Sequence, residues 1–220
     1  NKLREFLLNF DINSITNSLW RKLFKCFFIH FDKPQERIEG SHSIIQETFE
    51  YKENETKRFQ GIIDYLTKKC GGNVDEKGVV KVTASSIFKD FVPKNVVDYV
   101  DLENFSSLNR ENQWILFDFI DKKIRPNYYS IRTHKGDIGR SHLKNWVIEG
   151  SNTNNDDDWQ ILDSRSNENS LNYSYAENTF KIQNDLGFFR FIRLRQYGEN
   201  TRNCHSLVLS GLEFFGSISN

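Results

Sequence analysis

The chain has 220 residues and carries 30 Lys and Arg against 30 Asp and Glu, so no net charge draws it toward nucleic acid or an acidic membrane surface. Its hydrophobic fraction is only 37%, but 14% aromatic residues, 19 of them Phe, are enough to fill one sizeable core. The longest apolar runs, such as residues 27–29, are far too short to cross a bilayer, and residues 1–31 lack the apolar stretch and cleavage site of a signal peptide.

The first residue is Asn rather than Met, which suggests a piece of a longer protein. Cys26, Cys70 and Cys204 are an odd set without Cys-x-x-Cys spacing, so reduced thiols in an intracellular protein are expected rather than a disulfide framework or zinc cage. In residues 1–31, Ile15, Leu19, Leu23 and Phe27 recur every four residues beside Trp20, Phe24 and Phe28, which predicts a helix with a broad apolar stripe. Residues 32–58 read as a linker containing a strand at 44–51. Phe59, Ile62, Ile63 and Leu66 then mark a short helix, stopped by Gly71 and Gly72.

From residue 74 onward, short apolar bursts alternate with Asn, Asp, Gly and Ser. Strands are predicted at 79–83, 114–119, 128–133, 146–150, 159–163, 179–182, 189–196 and 206–215. Eight short strands with no long helix between them indicate a mainly β chain, an antiparallel jelly-roll β-sandwich with an N-terminal helical extension. The polar stretch 152–158, with Asp156, Asp157 and Asp158, raises the question of a cation site. It lacks the alternating acids, central Gly and closing Glu of a calcium loop, so a solvated turn is expected.

Eight pieces in order carry a resemblance: "VTASSIF" at 82–88, "NVVD" at 95–98, "FSSLNRENQWILFDF" at 105–119, "YYSIRT" at 128–133, "HLKNWVIEGS" at 142–151, "WQILDSR" at 159–165, "FFRFIRLRQYG" at 188–198 and "LEFFG" at 212–216. Residues 78–216 resemble a discoidin domain, the C-type domain of coagulation factors V and VIII, within the galactose-binding-like jelly rolls. Secreted members of that family tie the domain ends by a disulfide. Cys70 lies near the first position, but no Cys follows Gly216, in keeping with an intracellular version. "GIIDYLTKKCGGNV" at 61–74 is similar to discoidin-like domains that follow BTB and BACK domains, and "LWRKLFKCFF" at 19–28 resembles the end of a BACK segment. The implied organisation is a helical segment at 1–31, a linker at 32–58 and the discoidin-like sandwich at 59–218.

The resemblance implies a binding surface built from loops at one end of the barrel. The first loop holds Ile87, Phe88, Lys89, Asp90 and Phe91. The second has Arg110 at its tip, the third holds His134, Lys135, Asp137 and Arg140, and a fourth, from Tyr197, carries Arg202. Phe88 and Phe91 are the expected partner contacts. Arg110, Lys135, Arg140 and Arg202 would suit an acidic or phosphorylated segment. A glycan reading would draw instead on His134, His142, Arg132 and Tyr197. Asp98, Asp101, Asn104 and Glu213 stand where some relatives hold a structural calcium, although Tyr99 occupies the usual glycine place.

Arg190, Arg193 and Arg195 alternate with apolar residues, as solvated charges on the outer face of a strand do. No nucleophile–base pair, phosphate loop or His-x-x-x-His helix is present, so no enzyme activity is expected. The expected function is a non-catalytic module that recognises a protein partner within a larger scaffold or ubiquitin-ligase adaptor, cytoplasmic or cytoskeletal. The alternatives are a glycan-binding domain and a structural part of a cytoskeletal or ciliary assembly.

Overall fold

The structure is a computed structural model that describes residues 46–53 and 57–219. The helix expected at residues 1–31, with its BACK-type reading, lies outside the described residues. Among the described residues, eleven strands are present: β1 (Gln46–Phe49), β2 (Lys81–Ala84), β3 (Phe105–Ser106), β4 (Trp114–Asp118), β5 (Lys123–Arg132), β6 (Trp146–Ser151), β7 (Gln160–Arg165), β8 (Glu177–Lys181), β9 (Phe191–Gln196), β10 (Val208–Leu209) and β11 (Gly211–Ser219). They form a four-stranded sheet in the order β1-β11-β5-β8, a five-stranded sheet in the order β2-β4-β9-β6-β7, and a short β10-β3 ladder. All pairs are antiparallel.

The two main sheets close over an aromatic core. Phe117 meets Phe214 edge-on at 5.2 Å, Trp146 meets Phe180 edge-on at 5.2 Å, and Tyr129 stacks on Phe180 at 5.4 Å. A buried polar chain also crosses this core. Trp146 Nε1–H donates to Tyr129 Oη at 2.9 Å, and Tyr129 donates to Asp163 Oδ2 at 2.6 Å. Arg165 grips the fully buried Asp163 at 2.8 and 3.2 Å, so its charge is paired and its oxygens are satisfied. The chain therefore pins β7 to β5 as well as filling space.

Helix α1 (Ile62–Cys70) buries Ile62, Ile63 and Leu66 and packs on β11. Gly71 ends it in the left-handed region at φ 70°, its N–H donating to Thr67 O at 3.0 Å, as the double glycine predicts. At its other end Gly61 touches β11 so closely that a Cβ would lie 2.3 Å from Phe214 O. This backbone-to-backbone contact demands a residue without a side chain.

Two elements differ from the sequence reading, while the strand expected at 44–51 is present as β1 and pairs with β11. Strand β5 begins five residues before the predicted 128, running through Pro126, which a ladder tolerates opposite the bulge at Phe215/Gly216. The predicted strand 206–215 is two strands split at Ser210. There, Ser210 N–H donates to Arg132 O at 2.9 Å and its hydroxyl to Thr133 O at 2.5 Å, where the chain passes from the β10 ladder into β11.

The 152–158 tip is a turn, as expected, and Asp158 organises it. Its Oδ2 accepts from Ser151 Oγ at 2.7 Å, Asn152 N at 2.8 Å, Thr153 N at 2.9 Å and Thr153 Oγ1 at 3.0 Å. Trp159 and Ile161 share a face of this hairpin, but it is the outer one: Ile161 is exposed while Leu162 is buried.

Candidate functional site

The loops after β2, β5 and β9 and the loop before β4 come together at one end of the sandwich, joined by hydrogen bonds from backbone N–H groups to carbonyls and side chains of the neighbouring loop. Phe88 N–H donates to Ser106 O at 2.8 Å and Leu108 N–H to Ser86 Oγ at 3.0 Å, tying the first loop to the second. His205 N–H donates to Asn109 Oδ1 at 2.8 Å, tying the second to the fourth. His142 N–H donates to Thr201 Oγ1 at 3.0 Å and Thr201 N–H to His142 O at 3.0 Å, tying the fourth to the third. The Asn152–Asp158 tip, between β6 and β7, hangs from the opposite end.

In the first loop Ile87 is 44% exposed and Phe88 40% exposed, while Phe91 is half-buried. The two Phe rings lie parallel at 6.4 Å, and the Lys89 ammonium stands 5.2 Å from the Phe88 ring centroid. Lys89 holds a left-handed φ of 53°, which turns the chain back after Phe88 and leaves its ring outward. Arg110, Lys135, Arg140 and Arg202 are all exposed, and none forms an ion pair among the described residues.

The polar residues of the glycan reading are engaged elsewhere. Arg132 is buried: it donates to Ser210 Oγ at 3.2 Å and Ser210 O at 3.1 Å, and its guanidinium lies over the Phe59 and Tyr99 rings. His142 is fully buried with Nε2 at 3.2 and 3.0 Å from the Gly136 and Asp137 carbonyls. His134 stacks on His142 at 4.9 Å and faces the Lys135 and Arg140 carbonyls at 3.1 and 2.6 Å. Burial pushes the His134 pKa down, with a smaller push from His142, against those carbonyls. Both rings thus fold the third loop around themselves. Tyr197 is 40% exposed, but its hydroxyl donates to Arg165 O at 3.0 Å.

Nor does the structure gather the four calcium candidates. Asp98 Oδ1 accepts from Val100 and Asp101 N–H, both at 3.1 Å, closing its own turn, and Asn104 Nδ2 bonds Phe105 O at 3.4 Å. Glu213 is buried beneath the start of α1, where Oε1 accepts from Ile63 at 2.8 Å and from Phe214 at 2.7 Å. Its Oε2 accepts from Gly61 at 3.1 Å and Asp64 at 3.0 Å. Burial raises its pKa to about 7 against the downward pull of those four N–H groups. Among the described residues, no three His, Cys, Asp or Glu side chains form a metal-binding group.

The arginines of β9 are paired, not simply solvated. Arg193 and Arg195 both reach Glu149, at 2.6 and 2.7 Å, and Arg193 lies 3.9 Å over the Trp159 ring. Burial pushes the Glu149 carboxyl up, but the two arginines outweigh it and hold it below the usual range. Arg190 pairs with Asp118 at 2.7 Å. The sequence reading missed Ile138, 77% exposed in the third loop, and Tyr173, 51% exposed. Asn172, next to Tyr173, accepts from Gly139 N–H at 2.9 Å, which brings the two segments side by side. An Ile between Gly136 and Gly139 was the available signal.

No family model matches the chain. It is 26% identical over 212 residues to the E3 ubiquitin-protein ligase Ufd4 of Drosophila melanogaster, covering 90% of this chain and 7% of that protein. A 95-residue match, 32% identical, joins it to the E3 ubiquitin-protein ligase hecd-1 of Caenorhabditis elegans, covering 42% of this chain and 4% of that one. The chain thus spans less than a tenth of the curated relatives it matches. Among solved structures it is similar to CpGH89CBM32-5 from Clostridium perfringens, in complex with GalNAc-β-1,3-galactose, with a TM-score of 0.50 and 16% identity. That match covers 63% of this chain and 96% of the other. The fold is the galactose-binding-like jelly roll. Among the described residues, no helix is long and apolar enough to cross a membrane.

Proposed function

We infer that the chain is a non-catalytic recognition module that binds a protein partner through its loop end, as one part of a much larger protein. The observation that carries this reading is the first loop, where Ile87 and Phe88 stand exposed while neighbouring polar side chains are turned inward. Exposed apolar side chains on a rigid rim are what protein contacts bury. The unpaired Arg110, Lys135, Arg140 and Arg202 supply the polar part of such a surface, suited to an acidic or phosphorylated segment. The likeness to two ubiquitin ligases supports a scaffold or substrate-recruiting role within the cell.

The second reading is a glycan ligand. It is favoured by the fold's likeness to a module solved with GalNAc-β-1,3-galactose, and the comparisons support it more directly than they support a protein partner. The residues first assigned to it, His134, His142 and Arg132, are turned inward. A sugar would therefore have to use the exposed rings of Tyr173 or Tyr197 together with the loop cations.

Affinity capture from cell lysate with the intact chain and with Phe88→Ser, alongside a glycan array, separates the two. The protein reading expects a defined set of partners that Phe88→Ser releases, with circular dichroism unchanged and no glycan above background. Glycan binding that N-acetylgalactosamine competes, with capture unaffected by Phe88→Ser, would replace it by the second reading.

A further inference from the structure

The edge of a β-sheet offers a row of unpaired N–H and C=O groups, and proteins usually cover it. Two edges here are covered by side chains and returning backbone. On β7 the Leu162 carbonyl accepts from Gln183 and Asn184 N–H at 3.2 and 2.9 Å, and the Ile161 carbonyl from Asn184 Nδ2 at 3.1 Å. On β8 the Lys181 carbonyl accepts from Arg165 at 2.8 Å, and Thr179 N–H donates to Asn178 Oδ1 at 2.9 Å.

Strand β2, the edge of the five-stranded sheet, is treated differently. Ser85 N–H donates to Trp114 O at 3.0 Å, which makes 81, 83 and 85 the positions that exchange bonds with β4 and turns the backbone of Val82 and Ala84 outward. Asp75 Oδ1 takes Val82 N–H at 2.8 Å. The Val82 carbonyl and both backbone groups of Ala84 have no partner among the described residues.

Along this open edge runs a slot of about 410 Å³, walled by Val82, Ala84, Ile87, Val92 and Pro93. Its charged lining is Lys81 and Lys94, 60% and 43% exposed, with the nearly buried Asp75, whose Oδ1 takes Val82 N–H and pairs with Lys81 at 3.4 Å, while Lys94 pairs with Glu76. The slot presents three features together: an acceptor–donor–acceptor row at strand spacing, an apolar wall and, at the rim, two exposed lysines whose present carboxylate partners an acidic residue could replace. Only an extended polypeptide matches the first, because a helix keeps its backbone groups to itself and a sugar has no such row.

We propose that the β2 edge and its slot take an extended segment of the partner protein, which pairs with Val82 and Ala84 as an added strand. One aliphatic side chain of that segment sits among Ile87, Val92 and Pro93, with an acidic residue beside it meeting Lys81 or Lys94. This rests on the protein-partner reading and names the form in which the partner is held. Strand β2 is four residues long and carries Lys81, which limits pairing with copies of itself while leaving room for a short segment.

The test uses the full chain and a phage-displayed library of random linear dodecapeptides. Selected peptides should share an aliphatic residue next to an acidic one, and a synthetic copy should slow hydrogen exchange at the Ala84 amide. Ala84→Pro removes that N–H on a solvent-facing edge, where proline is tolerated, and should weaken peptide binding at least tenfold. Lys81→Glu/Lys94→Glu leaves the backbone untouched and should turn the selection toward basic flanks, which keeps the test open should Ala84→Pro misfold. Peptides that bind both variants as they bind the wild type, or a library that yields no binder, overturn the proposal. Phe88→Ser should leave peptide binding in place. Should it release captured proteins while Ala84→Pro does not affect the peptide, the loop-end reading survives and the edge proposal falls. The reverse pattern keeps the edge and removes the loop end.

Discussion

Asp158 at the β6–β7 tip and Glu213 in β11 perform the same local task in opposite surroundings. Each gathers four hydrogen-bond donors from a neighbouring stretch of chain, Asp158 from residues 151–153 and Glu213 from residues 61–64 and 214. Yet the Asp158 pKa is lowered to about 2, first by Ser151, and the Glu213 pKa is raised to about 7 by burial. At the wet tip the donors add to hydration. Under α1 they replace it incompletely, so the cost of burying charge outweighs the N–H bonds. Both acids also stood out in the sequence as possible cation ligands; backbone N–H groups occupy both oxygens of Glu213, while backbone and hydroxyl donors converge on Oδ2 of Asp158.

The largest expected effect comes from removing the buried member. Glu213→Ala leaves the N–H groups of Gly61, Ile63 and Asp64 without an acceptor at the positive end of α1, and the helix loses its anchor on β11. Several orphaned donors in the interior predict a loss of roughly 3–5 kcal/mol in a urea melt. A loss below about 1 kcal/mol would mean that water enters and takes over, and that the seat is less dry than its burial indicates.

A smaller effect sharpens the contrast through pH. Glu213 has a folded pKa of about 7 against an unfolded value of roughly 4.3, so the folded state holds the proton longer. Its contribution to stability is therefore fully present below the unfolded pKa and is lost as pH rises toward 7, with a slope of up to about 1.4 kcal/mol per pH unit. Glu213→Gln, which has nothing to titrate, should flatten that part of the stability profile. A wild-type profile already flat between pH 5 and 7 would show that the four N–H groups keep Glu213 ionised in spite of burial.

The same pair shows what local sequence carries. The sandwich was legible because β-branched and aromatic bursts such as 114–119 and 189–196 have strand period whatever they pack against. Pro126 hid the first half of β5, since the bulge that accommodates it lies about ninety residues away at Phe215/Gly216. Glu213 and Gly61 are 152 residues apart, and neither bears a local sign of the other. At the loop end, the exposure of Phe88 was legible through the family's order of motifs. The inward turn of His134, His142 and Arg132 was not, because their partners are backbone carbonyls and the Ser210 hydroxyl, which leave no pattern in side-chain identity.

The smallest expected effect is at the tip. Because the Asp158 pKa is depressed, its bonds are fully made above the unfolded value near 3.9 and are lost as pH falls through about 2. The Asn152 and Thr153 amides should therefore keep their hydrogen-exchange protection at pH 3.5 in the wild type and lose it at every pH in Asp158→Ala. The tip lies at the surface and this carboxylate reaches the sandwich only at Ser151, the last residue of β6, so global melting should scarcely move while the local opening rate rises. A substantial drop in global melting temperature would break the comparison. It would mean that the Asn152 side chain, which bonds Phe188 O at 3.0 Å and accepts from Arg190 N–H at 3.3 Å, transmits the order of the tip into the β8–β9 connection.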